Sequence, residues 1–204
     1  MLNNGNSSVA FNDFSDVPKI PYNVIEILLK DNSEVVEKFW KVLKYPTPDC
    51  LSKPNLTFAE KKKLICLGDT IEQDYKVFVK PMVGSSMDDA DAQTQIRIYR
   101  NSIQPTNRLS AVILFEIDFI TNEKTSQVDL DGLKVERTDL METLFLSFIN
   151  GRDIKVGSDY FVFNRELSRS CASLLSLSNS KSFYGRSLVL GLVYSKTEVG
   201  GDCS

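Results

Sequence analysis

The chain has 204 residues, of which 42% are apolar and 25% charged, and its 27 acidic side chains slightly outnumber 24 basic ones. Both fractions are typical of one soluble globular domain, which at this length buries a core without a metal ion or a disulfide. The net charge of −3 disfavours nucleic-acid binding, which depends on a concentrated positive surface. We expect no membrane span and no signal peptide, because the longest apolar runs are short and the first residues are polar.

The sequence contains no histidine, although histidine is the usual general base near neutral pH and the commonest metal ligand. Its absence excludes Ser-His-Asp and Cys-His catalysis and most zinc and non-haem iron sites. The four scattered cysteines form no CxxC pair and suit free thiols in a reducing cytoplasm. The glycine-rich phosphate loops and the GxSxG motif are missing as well. The sequence therefore predicts no enzyme activity and no cofactor.

The N-terminal residues 1–17 are rich in Asn, Ser and Asp and contain two isolated aromatic residues, Phe11 and Phe14. Such a composition predicts a flexible arm, because it buries too little apolar surface to offset the entropy of ordering. A second hypothesis is that the arm becomes ordered on a neighbouring subunit. In that case Phe11 and Phe14 would be its anchors.

Residues 22–44 predict two helices, because apolar residues recur at helical spacing on both sides of Asp31-Asn32-Ser33-Glu34. These four residues predict the end of the first helix and the N-cap of the second. Three prolines in residues 45–56 exclude a helix or a central strand and predict an ordered loop. The pair Thr57 and Glu60 forms a capping box, which predicts the start of a short third helix. Within it, we expect residues 61–63, all lysine, to lie on a solvated face, with a contact to a phosphate or to an acidic partner as the alternative.

From residue 75 the apolar period changes from helical to alternating. We expect strands over residues 75–83, 93–104 and 108–120, the last of which alternates over a dozen residues. The short polar turn at residues 105–107 predicts that the second and third strands pair as an antiparallel hairpin.

Acidic residues mark two predicted loops. Asp88, Asp89 and Asp91 lie in the first, at residues 84–93, which lacks the central Gly and the closing Glu of an EF-hand loop. We therefore interpret it as a solvated loop. The second loop, at residues 121–133, carries Asp129 and Asp131. The candidate interface residues of the chain are accordingly Phe11, Phe14, Asp88, Asp89, Asp91, Asp129 and Asp131.

An alternative hypothesis gives the carboxylates a chemical role. Glu116 and Asp118 share one face of the long strand, and Asp129 and Asp131 follow in the next loop. Together these four could bind a divalent cation or form an acid/base pair. The competing interpretation is a strand whose end reaches water, and no second acidic cluster in the sequence converges on the first.

The last part of the chain predicts a long helix and two more strands. Apolar residues recur at i, i+1, i+4 and i+5 over residues 136–149, the pattern of a helix lying on a sheet, and Asn150-Gly151 predicts its end. Further strands are expected over residues 159–165 and 184–195. The order predicts an α+β fold: an antiparallel sheet with one long amphipathic helix packed on it, a β-β-α-β-β core, and a helical N-terminal annex. The predicted organisation is an arm at 1–17, a single domain at 18–197 with its annex at 18–70 and core at 71–197, and a tail at 198–204.

A series of short motifs runs from residue 43 to residue 62. They are Leu43-Lys44-Tyr45, Pro48-Asp49, Leu51, Lys53-Pro54-Asn55-Leu56-Thr57 and Glu60-Lys61-Lys62. This series resembles the opening of a group of tailed-bacteriophage structural proteins. The downstream β-β-α-β-β order, closing on Tyr184-Gly185-Arg186 and an alternating strand, is similar to the fold of tail-terminator and head–tail joining proteins. The resemblance extends over residues 40–200.

The resemblance implies a structural virion protein of the head–tail junction, made in the host cytoplasm, that serves as a neck, tail-terminator or connector subunit. Its relatives form closed rings, so the implied partners are its own copies, as a hexamer or dodecamer, and the adjacent portal, connector or tail proteins. DNA would pass through the ring as cargo, without sequence-specific contacts and without a membrane. A non-enzymatic adaptor with a similar fold is the alternative.

Overall fold

A computed structural model of the chain describes residues 16–66, 74–81, 94–106, 110–156, 159–161, 163–171 and 183–195. The helices are α1 (Ile20–Lys30), α2 (Glu34–Lys44), α3 (Phe58–Lys63) and α4 (Arg137–Ile149). The strands are β1 (Ile65–Cys66), β2 (Val77–Phe78), β3 (Gln95–Pro105), β4 (Ser110–Asn122), β5 (Gln127–Leu130), β6 (Leu133–Glu136), β7 (Ile154–Val156), β8 (Asp159–Phe161), β9 (Asn164–Cys171) and β10 (Phe183–Ser195). None of the helices in these stretches has the length and apolar character needed to cross a membrane.

Six strands form the main sheet, in the order β1-β2-β3-β4-β10-β9. Its centre is antiparallel, because β4 pairs with β3 on one side and with β10 on the other. The two-residue strands β1 and β2 extend the β3 edge in parallel, so the whole sheet is mixed. The remaining strands of the described residues form two separate hairpins, β5–β6 and β7–β8. The α+β class predicted from the sequence is confirmed.

One face of the three central strands builds the core. Alternation along β4 places Phe115, Ile117 and Phe119 on this face, each at most 1% exposed. In the register of the sheet, Ile117 stands opposite Ile98 of β3 and Leu188 of β10. Since directly opposite side chains on neighbouring strands share a face, the three strands together present one continuous apolar surface.

Helices α1, α2 and α4 belong to the core on this face of the sheet. The ring of Phe145 on α4 lies 5.7 Å from that of Phe119 and 6.0 Å from that of Phe39 on α2, measured between centroids. Such tilted and edge-on arrangements are favourable for aromatic pairs. Trp40 of α2 is fully buried, and its Nε1 donates to the carbonyl oxygen of Leu28 at 3.1 Å. The N-terminal helices and the sheet therefore share one hydrophobic core.

Local sequence signals position the helix ends. The predicted break between α1 and α2 is confirmed, and Asp31 holds it, because its Oδ1 accepts from the backbone N–H of Ser33 at 2.6 Å. The Ser33 hydroxyl itself makes no capping bond. At α3 the predicted capping box is confirmed, since Thr57 accepts from the Glu60 N–H and the Glu60 carboxylate accepts from Thr57.

The structure corrects the loop predicted over residues 121–133. Strand β4 runs on to Asn122, a 3-10 turn follows, and β5 and β6 then form a hairpin. The two residues between these strands, Asp131 and Gly132, have φ of 50° and 83°. Two consecutive positive φ angles define a type I′ turn, whose twist matches that of antiparallel strands.

The prediction that residues 61–63 lie on a solvated helix face is wrong for the first of them. Lys61 is 1% exposed and its Nζ lies 2.5 Å from Oε1 of Glu37 on α2. Lys62 and Lys63 are exposed, as expected. Lys62 and Lys63 point away from the direction of Lys61, because successive residues are rotated by about 100° around a helix.

Candidate functional site

Two of the seven candidate interface residues lie in the described part of the chain. The other five, Phe11, Phe14, Asp88, Asp89 and Asp91, lie outside the described residues. Asp129 and Asp131 are both exposed on the β5–β6 hairpin. The backbone N–H of Asp129 donates to the carbonyl oxygen of Pro48 at 2.8 Å, and its carboxylate forms an ion pair with Lys134. These contacts join the hairpin to the loop that follows α2.

The β5–β6 hairpin has one apolar face, formed by two cross-strand pairs, Val128 with Val135 and Leu130 with Leu133. Val128 is fully buried, Val135 and Leu130 are half-buried, and Leu133 is 68% exposed. Leu133 is the most exposed large apolar side chain among the described residues. The apolar face of the hairpin therefore begins in the core and continues into solvent at the tip.

An open cleft of about 300 Å³ lies at the base of this hairpin, lined by Glu136, Thr138, Asp139, Tyr184 and Arg186. Glu136 is the N-cap of α4: its Oε2 accepts from the Asp139 N–H at 2.7 Å and from the Thr138 hydroxyl at 2.6 Å. Its Oε1 accepts from the Tyr184 hydroxyl at 2.8 Å, and Arg186 forms an ion pair with Asp139. Burial is the main cause that raises the pKa of Tyr184 to about 12, so its hydroxyl remains a donor at neutral pH.

Gly185 explains how two of these residues reach the cleft. A Cβ atom at this position would lie 2.4 Å from the carbonyl oxygen of Phe119, so only glycine lets β10 approach β4 this closely. Because side chains alternate along a strand, Tyr184 and Arg186 both leave β10 on the side of α4. In the motif Tyr184-Gly185-Arg186, the glycine thus allows the close strand pairing that positions the tyrosine and the arginine in the cleft.

The other face of the sheet carries a polar cluster around Asp118, which is 3% exposed. Asp118 accepts hydrogen bonds from the Tyr99 hydroxyl at 3.0 Å and from the Ser187 hydroxyl at 2.6 Å. Glu116 lies on the same face, as expected, and accepts from the side-chain amide of Asn101 at 2.5 Å. Burial is the largest cause that raises the pKa of the Asp118 carboxyl, and it also raises the pKa of Tyr99.

The four carboxylates of the metal-enzyme hypothesis lie in two different places. Glu116 and Asp118 are on the second face of the sheet, whereas Asp129 and Asp131 are on the hairpin. Within the part of the chain that the structure describes, no three His, Cys, Asp or Glu side chains are close enough to hold a metal ion. Both oxygens of Asp118 already accept bonds from hydroxyl groups. Glu116 and Asp118 therefore do not converge with Asp129 and Asp131 on one site.

We expect Asp118→Asn to change how stability depends on pH. Burial raises the pKa of Asp118 in the folded state above its unfolded value of about 3.9. The carboxyl therefore contributes stability below the unfolded pKa, and this contribution is lost as the pH rises through the folded pKa. Asparagine carries no such titration, so the free energy of unfolding of the variant, relative to the unmodified chain, should increase from about pH 4 towards pH 7.

Urea unfolding of Asp118→Asn at several pH values measures this difference. Glu116→Gln is the matched control, because it removes a carboxylate from the same strand and face but at a half-buried position. A stability difference between Asp118→Asn and the unmodified chain that stays constant across the pH range would contradict the prediction.

Arg137, at the start of α4, is fully buried. Its guanidinium donates to five main-chain carbonyls, those of Val42, Tyr45, Pro46, Thr47 and Thr125, at 2.5–3.1 Å. The last carbonyls of a helix have no partner within the helix and form its negative end, so a cation there is favourable. Arg137 thus donates hydrogen bonds to carbonyl oxygens at the end of α2, and it fastens the proline-rich loop after this helix to α4.

A scan of protein-family models and a search of curated proteins found no match to this chain. The resemblance to tailed-phage structural proteins, in the motifs at residues 43–62 and in the order of the elements after them, therefore stays a prediction. The fold defines an α+β domain, and its described surface combines an exposed hairpin tip with an adjacent polar cleft.

Proposed function

We propose that this chain is a structural virion protein that assembles with copies of itself into a ring at the head–tail junction of a tailed phage. It serves there as a neck, tail-terminator or connector subunit, and DNA passes through the ring. The observation that carries the proposal is the anchoring of the proline-rich loop by Arg137. The resemblance has two parts, the motifs at residues 43–62 and the sheet with its long helix. The buried side chain of Arg137 joins the loop within residues 43–62 to the long helix α4.

The chemistry of the described residues supports the same proposal. The chain has no histidine, and the carboxylates on the second face of the sheet are engaged by hydroxyl and amide donors. Leu133 by contrast places an apolar side chain in solvent at the tip of the β5–β6 hairpin. The net charge of −3 suits a ring whose cargo is a polyanion that must move without binding.

A ring subunit is expected to give discrete oligomers in solution. Mass photometry of the purified full chain should show a species at six or twelve times the chain mass of 23.0 kDa, with few intermediate masses because a closed ring saturates its contacts. Electron micrographs of the same sample should show annular particles.

If the chain formed oligomers only together with portal or tail proteins, the ring contact would form within that complex, and the proposed structural role would still hold. A chain that stays at the monomer mass at every concentration, alone and with those proteins, would contradict the proposal. That result would favour the alternative of a soluble adaptor with a similar fold.

A further inference from the structure

The turn that ends α4 consists of an asparagine followed by a glycine. Asn150 is the C-cap of the helix, it is exposed, and its backbone N–H donates to the carbonyl oxygen of Leu146 at 3.0 Å. Gly151 follows with a φ of 71°, the left-handed conformation in which glycine ends many helices. The pair therefore has a structural role at the end of α4, and it also has a chemical property.

An asparagine that precedes glycine can lose its side-chain amide to attack by the main chain. The backbone nitrogen of the following residue attacks Cγ, the C–N bond of the side-chain amide breaks, and ammonia leaves. Water then opens the five-membered succinimide and gives aspartate or isoaspartate. The net reaction consumes one water molecule and requires no oxidant and no enzyme. Its rate depends on how easily the attacking nitrogen reaches Cγ.

Gly151 presents its nitrogen with little hindrance. Apart from its own chain neighbours, nothing lies within 4 Å of the place where a Cβ atom would stand. Within the described residues, the N–H of Gly151 donates no hydrogen bond. Attack requires rotation about the Cα–C bond of Asn150, whose ψ is 119°. The bond that closes this turn runs from the Arg152 N–H to the Ile149 carbonyl at 3.2 Å, and one such bond contributes little net stability.

Asn32 is the contrasting case. It is also exposed and also lies beside a helix end, in the break between α1 and α2. The nitrogen that would attack its side chain belongs to Ser33, and this N–H donates to Oδ1 of Asp31 at 2.6 Å. Ser33 also carries a side chain, whereas Gly151 has none. The structure therefore predicts that two exposed asparagines differ in reactivity.

We propose that Asn150 is a deamidation site, at which the chain gains a negative charge as the protein ages. The new carboxylate lies at the C-terminal end of α4, where the helix dipole disfavours an anion. It also lies two residues from Arg152, which forms an ion pair with Asp31. Deamidation therefore weakens the end of α4 and offers Arg152 a second carboxylate.

Peptide mapping by mass spectrometry tests the assignment. Trypsin places the two asparagines in separate peptides, residues 31–38 and 138–152, and each peptide contains no other Asn and no Gln. The full chain is incubated at mildly alkaline pH, which favours the attack, and the conversion of amide to acid is followed in both peptides. We expect Asn150 to convert at least an order of magnitude faster than Asn32.

Two variants test the chemistry at the turn. Gly151→Ala places a methyl group beside the attacking nitrogen and should slow the conversion of Asn150 severalfold. Asn150→Gln lengthens the side chain, so a five-membered ring can no longer form and the mass gain in this peptide should disappear. Circular dichroism checks that both variants are folded.

Three outcomes would overturn the inference. If Asn150 converts in urea but stays an amide in the folded chain, the fold holds the turn closed. If Asn32 converts as fast as Asn150, the hydrogen bond from Ser33 gives no protection. If Gly151→Ala converts at the rate of the unmodified chain, the open space at Gly151 is not the reason for the reaction. The proposed ring function is tested separately by mass photometry, and none of these results bears on it.

Discussion

Replacing Arg137 with methionine is expected to destabilise the folded chain by about 3–5 kcal/mol. Methionine keeps the apolar stem but removes every donor, so five carbonyl oxygens around a fully buried side chain lose a charged hydrogen-bond partner. The loss is a large fraction of the roughly 5–15 kcal/mol that stabilises a typical domain. Urea unfolding followed by circular dichroism measures the change.

Two further variants separate the reasons for this effect. Arg137→Lys keeps the positive charge but not the planar fork of donors, so it should recover only part of the lost stability. Arg100→Met removes an arginine from an exposed position on β3 and should change stability by no more than about 0.5 kcal/mol. If Arg137→Lys were as stable as the unmodified chain, the charge alone would hold the loop, and the directed bonds to the carbonyls would be unimportant.

The longest periodic elements could be predicted from the sequence. Strand β4 was expected over residues 108–120 and is observed at Ser110–Asn122, and the long helix was expected over 136–149 and is observed at Arg137–Ile149. Both elements bury one face against the core, and burial of one face imposes a period that every residue along the element repeats. The pattern is therefore redundant, and a few irregular positions do not obscure it.

Short elements depend on their neighbours more than on their own residues. Strand β2, at Val77–Phe78, lies within the strand predicted over residues 75–83 but is only two residues long, and it pairs with the edge of β3. Strand β1, at Ile65–Cys66, pairs with β2, and two residues are too few to show a local period. The β5–β6 hairpin did have a local signal, the Asp131-Gly132 pair between alternating apolar residues. Its many polar residues suggested a loop, although one half of any amphipathic hairpin is polar.

The candidate surfaces could be predicted only in part. Asp129 and Asp131 were named from the sequence and do lie on the exposed hairpin. The cleft was missed, because it forms where Glu136 meets Tyr184, which is 48 positions away. Arg137 was missed for the same reason, since its acceptors lie as far as 95 positions away. A charged residue in isolation predicts a surface position, and only the tertiary fold shows which charges are buried.

Lys61 and Glu37 form such a buried pair, and separating them is expected to cost about as much as losing Arg137. The side chains of Lys61 and Glu37 are 2% and 10% exposed. Within the described residues, Oε2 of Glu37 has no hydrogen-bond partner, so Lys61 is the main compensation for its charge. Lys61→Met should therefore destabilise the fold by about 3–5 kcal/mol, because it leaves a carboxylate buried without its counter-ion. Chemical unfolding measures the loss.

The double variant Glu37→Leu with Lys61→Met shows whether the pair itself stabilises the fold. Burying two charges costs several kcal/mol in lost hydration, so replacing both with apolar side chains of similar size should restore most of the stability. The matched control is Lys38→Met, which breaks the exposed Lys38–Glu34 pair on the same helix, with side chains 42% and 81% exposed, and should cost at most about 0.5 kcal/mol. If Lys61→Met cost no more than Lys38→Met, burial would not make this pair different from a surface one. A double variant as unstable as Lys61→Met alone would show instead that packing, and not the unpaired charge of Glu37, accounts for the loss.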